Sequence, residues 1–479
     1  MIAALYAIAM FVLLVFGLNM LWLAFNHAKH DRFELVAPDD QFEPYVTIQL
    51  PLYNESLVAG RLIDACASID YPREKLEIQI LDDSNDETVE IVARKVNEWR
   101  KSRVNIQHIR RLDRTGFKAG ALQHGLRFAT GDFIAIFDAD FLPPPDYLRK
   151  LLSPFRDEHV GMVQARWGHL NSHESLLTRL QAFGLDMHFA IEQRVRNLKG
   201  CFITFNGTAG IWRRSCIEDA GGWQADTLTE DLDLSYRAQL RGWKFTFIPS
   251  VEVPAEVPAD MNGFRIQQFR WTKGAVQTAM KLLPQLWKSD QSLKIKTEGT
   301  FQLTAHLVFP FIIIVVLLHA PLLYLKNVVG APAELYFGLM GLGLIGFAGF
   351  FLANVFSQRV LYPDWVSRLS IFPTFLAGTM GLAASNLVAI GQALRGKQSA
   401  FIRTPKYSST GVSRWASTRY ASRRVPVIAW FEFFLAIYCT AGVGIIIYFQ
   451  EWAALPFQLL FLGGFALITH FNFRQIRGT

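Results

Sequence analysis

The sequence predicts an α/β soluble domain joined to an α-helical membrane domain of about five spans with interfacial helices, and three observations carry that prediction. Of 479 residues, 51% are hydrophobic and 19% charged. That balance is too apolar for an ordinary soluble chain and too charged for a bundle of spans alone. Short β-type runs alternate with helical stretches from Tyr45 to about Pro258, as in an α/β domain. Beyond Phe301 the chain turns into long uncharged segments. The formal charge of +7 comes without an aromatic-basic RNA motif or a basic recognition helix, so no nucleic-acid partner is predicted. Membrane lipids with anionic headgroups, and nucleotide phosphates, account for the bias. Cys66, Cys201, Cys216 and Cys439 have no zinc-type or redox spacing and read as reduced thiols in a cytosolic compartment.

The elements follow in order. Met1–Asn26 contains no Asp, Glu, Lys or Arg. It is long enough to cross a hydrocarbon core of about 30 Å, and it lacks the basic leader and short apolar core of a cleaved signal peptide, so residues 1–26 read as a membrane anchor. Residues 45–262 form the soluble domain. Within it, Val46–Leu50, Ile78–Leu81 and Phe133–Phe137 read as strands that end in Pro51-Leu-Tyr-Asn-Glu55, Asp82-Asp-Ser84 and Asp138-Ala-Asp140. Polar, turn-forming residues at strand ends mark the carboxyl edge of an open sheet, where such folds bind ligands. There is no G-x-G-x-x-G and no phosphate-loop pattern.

An amphipathic stretch, residues 263–300, is expected to lie along the bilayer face. Residues 301–358 read as two transmembrane helices, 369–406 as an interfacial helix followed by a loop, and 426–472 as two further spans. Charge decides between five and six spans. Arg395, Lys397, Arg403, Lys406, Arg414, Arg419, Arg423 and Arg424 occur with no acidic residue among them, which places that segment in the cytosol. A full span at Leu369–Leu394 would throw it outside. Pro373, Gly378, Gly381, Ser385 and Asn386 also dilute that segment, which reads as interfacial or re-entrant. The C-terminal Arg474 and Arg477 then fall inside too.

Asp138 and Asp140, two apart at a strand end, suit a hard Mg²⁺ or Mn²⁺ ion shared with substrate phosphates. Alone, Asp-x-Asp is more often a solvated loop start, and Asp82-Asp83 a turn signal. Together with Lys118-Ala-Gly120, Thr229-Glu-Asp231, Gln267-Gln-Phe-Arg-Trp271 and Phe401-Ile-Arg-Thr-Pro-Lys406, however, these motifs resemble the processive family 2 glycosyltransferases, which include cellulose, mannan, chitin and hyaluronan synthases. The resemblance runs from Tyr45 through Lys406. Gln267-Gln268 departs from the Gln-Arg pair of cellulose and hyaluronan synthases. It is more similar to plant glucomannan 4-beta-mannosyltransferase (cellulose synthase-like) proteins and their bacterial relatives.

The resemblance implies a GT-A-type (nucleotide-diphospho-sugar transferase) fold for the cytosolic domain and a role for each motif. Tyr53, Glu55, Asp83, Lys118, Asp138, Gln267, Arg270 and Lys406 would bind the donor, and Asp138 and Asp140 the metal. Asp231, with Glu230, would be catalytic, Asp231 taking the proton from the acceptor hydroxyl as it attacks the anomeric carbon. Asn206, Gly207 and Trp271 would contact the acceptor. The plain alternatives are an acidic first helical turn at Glu230–Asp233, an interface anchor at Arg270-Trp271, and a strand with a Gly turn at Cys201–Gly210. Phe401–Lys406 resembles a gating loop, consistent with its cytosolic placement by charge.

The implied activity is elongation of a β-linked polysaccharide from a nucleotide sugar, GDP-mannose or UDP-glucose, with export of the growing glycan through the plasma or inner membrane. A glycolipid synthase that transfers a single sugar to a lipid acceptor carries similar motifs. A catalytically dead scaffold would keep the acidic clusters for structure alone.

Overall fold

The computed structural model describes residues 2–29, 32–330, 333–397, 399, 402–404, 406 and 426–474. Phe401 and Pro405 of the predicted loop, and Arg414, Arg419, Arg423, Arg424 and Arg477 of the charge pattern, lie outside the described residues.

Seven strands build one sheet: β1 (Val46–Leu52), β2 (Leu76–Asp82), β3 (Ile106–Ile109), β4 (Phe133–Ile136), β5 (Val160–His169), β6 (Gly210–Arg213) and β7 (Lys244–Ala255). Their order is β3-β2-β1-β4-β6-β5-β7. β1 to β4 pair in parallel, β6 is antiparallel to both neighbours, and β7 runs parallel to β5. The three strands expected from sequence are present. β1, β2 and β4 are buried almost throughout; β4 is wholly apolar, while the polar side chains buried in β1 and β2 pair with one another, Thr47 with Glu77 at 2.7 Å and Gln49 with Gln79 at 3.1 Å. From β1 the chain moves to β2 and β3 on one side, then returns to β4 on the other, so the β1/β4 boundary is a topological switch point. The register sets Leu52 beside Asp82 and Gln49 beside Ile136, bringing the three motif-bearing strand ends to one edge.

Cys201–Ala209 is not a strand, contrary to its plain reading, and β6 begins only at Gly210. Buried glutamine side chains take over the hydrogen bonds a sheet would have supplied. Gln239 pairs with Ile203, accepting from its N–H at 3.1 Å and donating to its carbonyl at 2.8 Å, and Gln164 Oε1 accepts from Asn206 N at 3.1 Å. An irregular buried loop is tolerable only when its backbone groups are paired in this way.

Six helices among the described residues are long and apolar enough to cross a membrane: Ile2–Ala28, Leu293–Val329, Met340–Leu361, Trp365–Leu394, Val427–Tyr448 and Trp452–Arg474. The chain is an integral membrane protein. Trp365–Leu394 is the segment whose charge context argues against a span. It is broken into Trp365–Arg368, Leu369–Ile371, Phe372–Gly381 and Ala383–Leu394. The amphipathic stretch is two helices, Met261–Lys288, capped by the Asp260 carboxylate accepting from Gly263 N at 2.9 Å, and Leu293–Thr304, which runs on into the apolar Val308–Val329. The two layers are fastened at Asp186, a buried carboxylate that accepts from Gln358 at 3.0 Å and Tyr362 at 3.2 Å and lies 3.3 Å from His169. All four cysteines are buried and free of disulfides.

The anchor helix Ile2–Ala28 crosses Ala333–Leu361 with backbone against backbone. A methyl group on Gly17 would overlap the Gly346 Cα, and one on Gly349 would overlap the Gly17 carbonyl. In lipid, such close approach supplies the packing that a hydrophobic effect between helices cannot. Gly17→Val is expected to push the helices apart and cost about 1–3 kcal/mol, the usual range for overpacking. Thermal unfolding in detergent checks this, and an unchanged midpoint would contradict the packing.

Candidate active site

The carboxyl edge of β1, β2 and β4 opens into a cleft of about 100 Å³. After β1 the chain turns through Asn54 in the left-handed region (φ 56), a conformation Asn tolerates better than most residues. Asn54 N donates to Ser84 Oγ at 2.8 Å and its side chain accepts from Asn85 N at 3.0 Å, so the ends of β1 and β2 are knitted together. This sets Tyr53, Glu55 and Asp83 on the cleft wall. Arg111 forks onto Asp83, Nε to Oδ1 at 2.9 Å and Nη2 to Oδ2 at 2.5 Å, and the Arg114 guanidinium lies 3.2 Å from the centre of the Tyr53 ring. Asp82 turns the other way. Burial raises its pKa, but His108 at 2.8 Å and Ser84 N at 2.9 Å outweigh that and hold it below the usual aspartate range, so it braces the loop.

Asp138 and Asp140 follow β4. Lys118 donates to Asp138 at 2.6 Å and to the Gly207 carbonyl at 2.8 Å, which ties this strand end to the irregular loop. Burial alone would lower the Lys118 pKa, but Asp138, Glu230 and Asp231 together raise it. Asp140 is raised by burial, only partly offset by Lys406 at 2.7 Å. Its Oδ1 is buried and, among the described residues, accepts no hydrogen bond. Arg403 forks onto Glu55 at 2.8 and 2.7 Å, and Thr404 accepts from Arg270 at 3.2 Å. Arg403, Thr404 and Lys406, from the described part of the predicted loop, therefore line the cleft.

Among the described residues no three or more His, Cys, Asp and Glu side chains cluster as a metal cage. Asp138 and Asp140 nevertheless fit a divalent ion. The unpaired Asp140 Oδ1 and the partly exposed Asp138 carboxylate are hard oxygens, and such ions commonly take one or two carboxylates plus phosphate oxygens and water.

Thr229-Glu230-Asp231 opens the helix Glu230–Leu240. Leu228 N donates to Gln277 at 3.0 Å and Thr229 bonds Thr278 at 3.2 Å, so the interface helix Met261–Lys288 grips this turn. Asp231 Oδ1 accepts from Leu232 N at 2.8 Å, while Oδ2 would lie 2.9 Å from a Cβ placed on Gly207. Burial, then the neighbouring Glu230 carboxylate, pushes the Asp231 pKa up to about 7. Glu230 is raised by its own burial, against Lys118 and Arg270. Asp233, in contrast, is fully buried and is neutralised by Arg237 at 2.7 Å and Lys281 at 2.8 Å, so it braces the first turn of this helix.

Gln267, Arg270 and Trp271 are spaced i, i+3, i+4 on the interface helix and face the site together. Burial lowers the Arg270 pKa despite Glu230, Asp138, Asp231 and Glu55 around it. A second cleft of about 110 Å³ holds these three side chains with Lys118, Asn206, Gly207, Glu230 and Asp231. Asn206, Asp231, Gln267 and Trp271 also line a third cavity, of about 430 Å³, whose far wall comes from Phe375, Thr379, Leu382 and Phe471 in the apolar segments.

Residues 44–274 match the family described as glycosyltransferase like family 2. They form a family 2 glycosyltransferase domain. The domain is similar to glucomannan 4-beta-mannosyltransferase 2 of Arabidopsis thaliana, 41% identical over 268 residues that cover 54% of this chain and 50% of that one. Glucomannan 4-beta-mannosyltransferase 1 of Oryza sativa subsp. japonica is 41% identical over 261 residues, 52% of this chain and 50% of that one. The chain thus spans about half the length of the curated relatives it matches. In fold it is similar to a mannosyltransferase from Pyrobaculum calidifontis solved in complex with GDP-Man and Mn2+, with a TM-score of 0.56 at 22% identity over 83% of this chain and all of that one.

Every site residue expected from sequence in the family 2 domain lines one of these three adjoining spaces. Arg111 and Arg114 have no role in the sequence reading, although they lie in a basic run, Arg110-Arg111-Leu-Asp-Arg114, just ahead of Lys118, and Arg403 enters it only within the loop motif and the charge pattern. A charge run usually marks a solvated face, and only the β3 turn reveals that this one faces the cleft. His188, Glu192 and Gln193 carried no sequence signal at all.

Proposed function

We propose that the protein is an inverting, metal-dependent hexosyltransferase that elongates a β-linked glycan of glucan, mannan or glucomannan type and passes it across the membrane. One observation carries this reading. Asp231, with a pKa of about 7, stands where the charged cleft of Asp138, Asp140 and Arg270 meets a cavity of about 430 Å³ walled by aromatic and apolar-segment residues. A donor held by its diphosphate in the first space and a glycan end lying in the second would meet at that carboxylate.

Tyr53 offers a flat face to the nucleobase, with the Arg114 guanidinium stacked on it. Arg270 forks onto the diphosphate and Lys118 holds Asp138 in place. Asp138 and Asp140 would hold Mg²⁺ or Mn²⁺, which supplies positive charge to the departing diphosphate. The acceptor hydroxyl attacks the anomeric carbon, the carbon–oxygen bond to the diphosphate breaks, and Asp231 takes the hydroxyl proton. A single displacement converts an α-linked donor to a β-linked product. Asn206 and Trp271 position the acceptor ring, Trp271 through its apolar face. The basic loop and the broken segment Trp365–Leu394 favour five spans with the catalytic domain cytosolic.

The likeness to glucomannan mannosyltransferases, and a structural neighbour holding GDP-Man, favour GDP-mannose over UDP-glucose. Purified protein is incubated with labelled GDP-mannose and UDP-glucose, each with Mg²⁺, Mn²⁺ or chelator, and product length is measured. Polymer from one donor, abolished by chelator, is expected. A single-sugar lipid product would replace elongation with glycolipid synthesis, and turnover in chelator would remove the metal.

A further inference from the structure

The helix that begins at Leu176 changes winding at His188–Gln193, where it forms a π turn, and resumes as Arg194–Leu198. Bonding from i to i+5 winds wider than 3.6 residues per turn, so Gln193 is carried back beside Glu192 over His188 rather than being turned away from it. All three side chains then act on one place.

That place is Asn206. Gln193, fully buried, donates from Nε2 to the Thr204 carbonyl at 2.6 Å and accepts at Oε1 from Thr204 N at 3.2 Å, which fixes its amide orientation. The same Nε2 donates to Asn206 Oδ1 at 2.7 Å, so the Asn206 Nδ2 must face His188 Nε2, 2.9 Å away. His188 accepts there and carries its proton on Nδ1, which donates to Glu192 at 2.9 Å. Behind Glu192 the polar chain continues into the apolar helices. Arg196 lies 3.5 Å from Glu192 and 3.5 Å from Glu298, and Asn19 of the anchor helix donates to Glu298 at 2.6 Å. Arg196, Glu298 and Asn19 are all buried. Burial would raise the Glu192 pKa, but His188 and Arg196 hold it below the usual glutamate range.

We infer that the π turn His188–Gln193 is a positioning device that aims the Asn206 amide at the acceptor and ties that aim to the anchor helix through Glu192, Arg196, Glu298 and Asn19. This rests on the reading of Asn206 as an acceptor contact. With one Nδ2 hydrogen given to His188 and Oδ1 taking a hydrogen from Gln193, Asn206 keeps one N–H and one lone pair for the cavity that His188, Glu192 and Asp231 also line. One donor and one acceptor at fixed angle suit adjacent hydroxyls of a sugar ring. His188 itself borders that cavity, and its part in the positioning device is to hold the Asn206 amide in place.

The test uses the full chain in detergent with the nucleotide sugar that the wild type turns over, and β-1,4-linked mannotetraose or cellotetraose as acceptor. His188→Leu is expected to raise the acceptor KM about tenfold, the effect of losing one buried hydrogen bond, with the donor KM unchanged. His188→Gln restores the acceptor KM, because Gln accepts from Asn206 with its oxygen and donates to Glu192 with its nitrogen. His188→Asn, one methylene shorter, serves in place of Leu if the latter does not fold, and melting temperatures are recorded for each. Equal acceptor KM values for Leu and Gln, or a donor KM rising alongside, would overturn the inference. A wild type that turns over donor but extends neither tetrasaccharide sinks the polysaccharide reading instead, and the same variants are then compared with diacylglycerol as acceptor.

Discussion

Asp231→Asn is expected to lower the transfer rate by about 10²–10⁴-fold, the usual contribution of a positioned general base, with nucleotide-sugar affinity retained. The amide keeps the shape and can still accept from Leu232 N, now 2.8 Å from Oδ1, so the site should stay assembled. In the wild type kcat/KM should rise with pH through about 7 and then level, since the base works only when ionised and its pKa stands near 7. Stability should move the other way. A carboxylate raised on folding binds more protons in the native than in the unfolded state, so its contribution to stability falls as pH rises from the unfolded value of about 4 to the folded value near 7. The Asn variant removes that penalty and should melt higher than wild type at pH 8. Calorimetry and a pH–rate profile together check both halves. Transfer undiminished in the Asn variant would leave the acidic cluster as helix chemistry alone.

Gly207→Ala is expected to cost about 10²-fold in transfer through a displacement of about 1 Å at the reacting groups. Gly207 has φ +84, in the left-handed region, and a Cβ there would come within 2.9 Å of Asp231 Oδ2 and 3.5 Å of the Lys118 ammonium. The backbone penalty is about 1–2 kcal/mol, so the protein should still fold. What changes is the spacing between Asp231 and the loop that carries Asn206. Gly200→Ala is the control, because it has φ +63 but nothing within 4 Å of the added atom. It shares the backbone strain without the collision, and equal activity loss in both would assign the effect to strain.

The parts of this site that were legible in sequence are those built by local order. Val46–Leu50, Ile78–Leu81 and Phe133–Phe137 are central strands rich in β-branched and aromatic residues, interrupted only by the buried Thr47, Gln49 and Gln79, and the polar, turn-forming residues that end them stand out. Gln267, Arg270 and Trp271 share a helix face by spacing alone. β3, β5, β6 and β7 escaped a sequence reading because they are short, or broken by register shifts as β5 and β7 are between Val160 and Arg166. The Cys201–Ala209 loop misled for a related reason: a stretch rich in β-formers was taken out of the sheet by Gln164, Gln193 and Gln239, which lie far from it in sequence or on another element.

Apolar length and the loss of charge mark the membrane segments, and the ordered carboxylates mark an edge of an α/β sheet, with no fold needed to see either. Both are properties of neighbours along the chain. Which carboxylate acts as base is not such a property: Asp231 and Asp233 are two residues apart on one turn, and only packing sets the first at the clefts beside Glu230 while neutralising the second, itself fully buried, with Arg237 and Lys281. The aim of Asn206 likewise depends on a π turn and a proton position on His188 that three separate elements decide together. Burial and hydrogen-bond geometry are set by atoms brought from distant parts of the chain, so they exist only once the tertiary structure has formed.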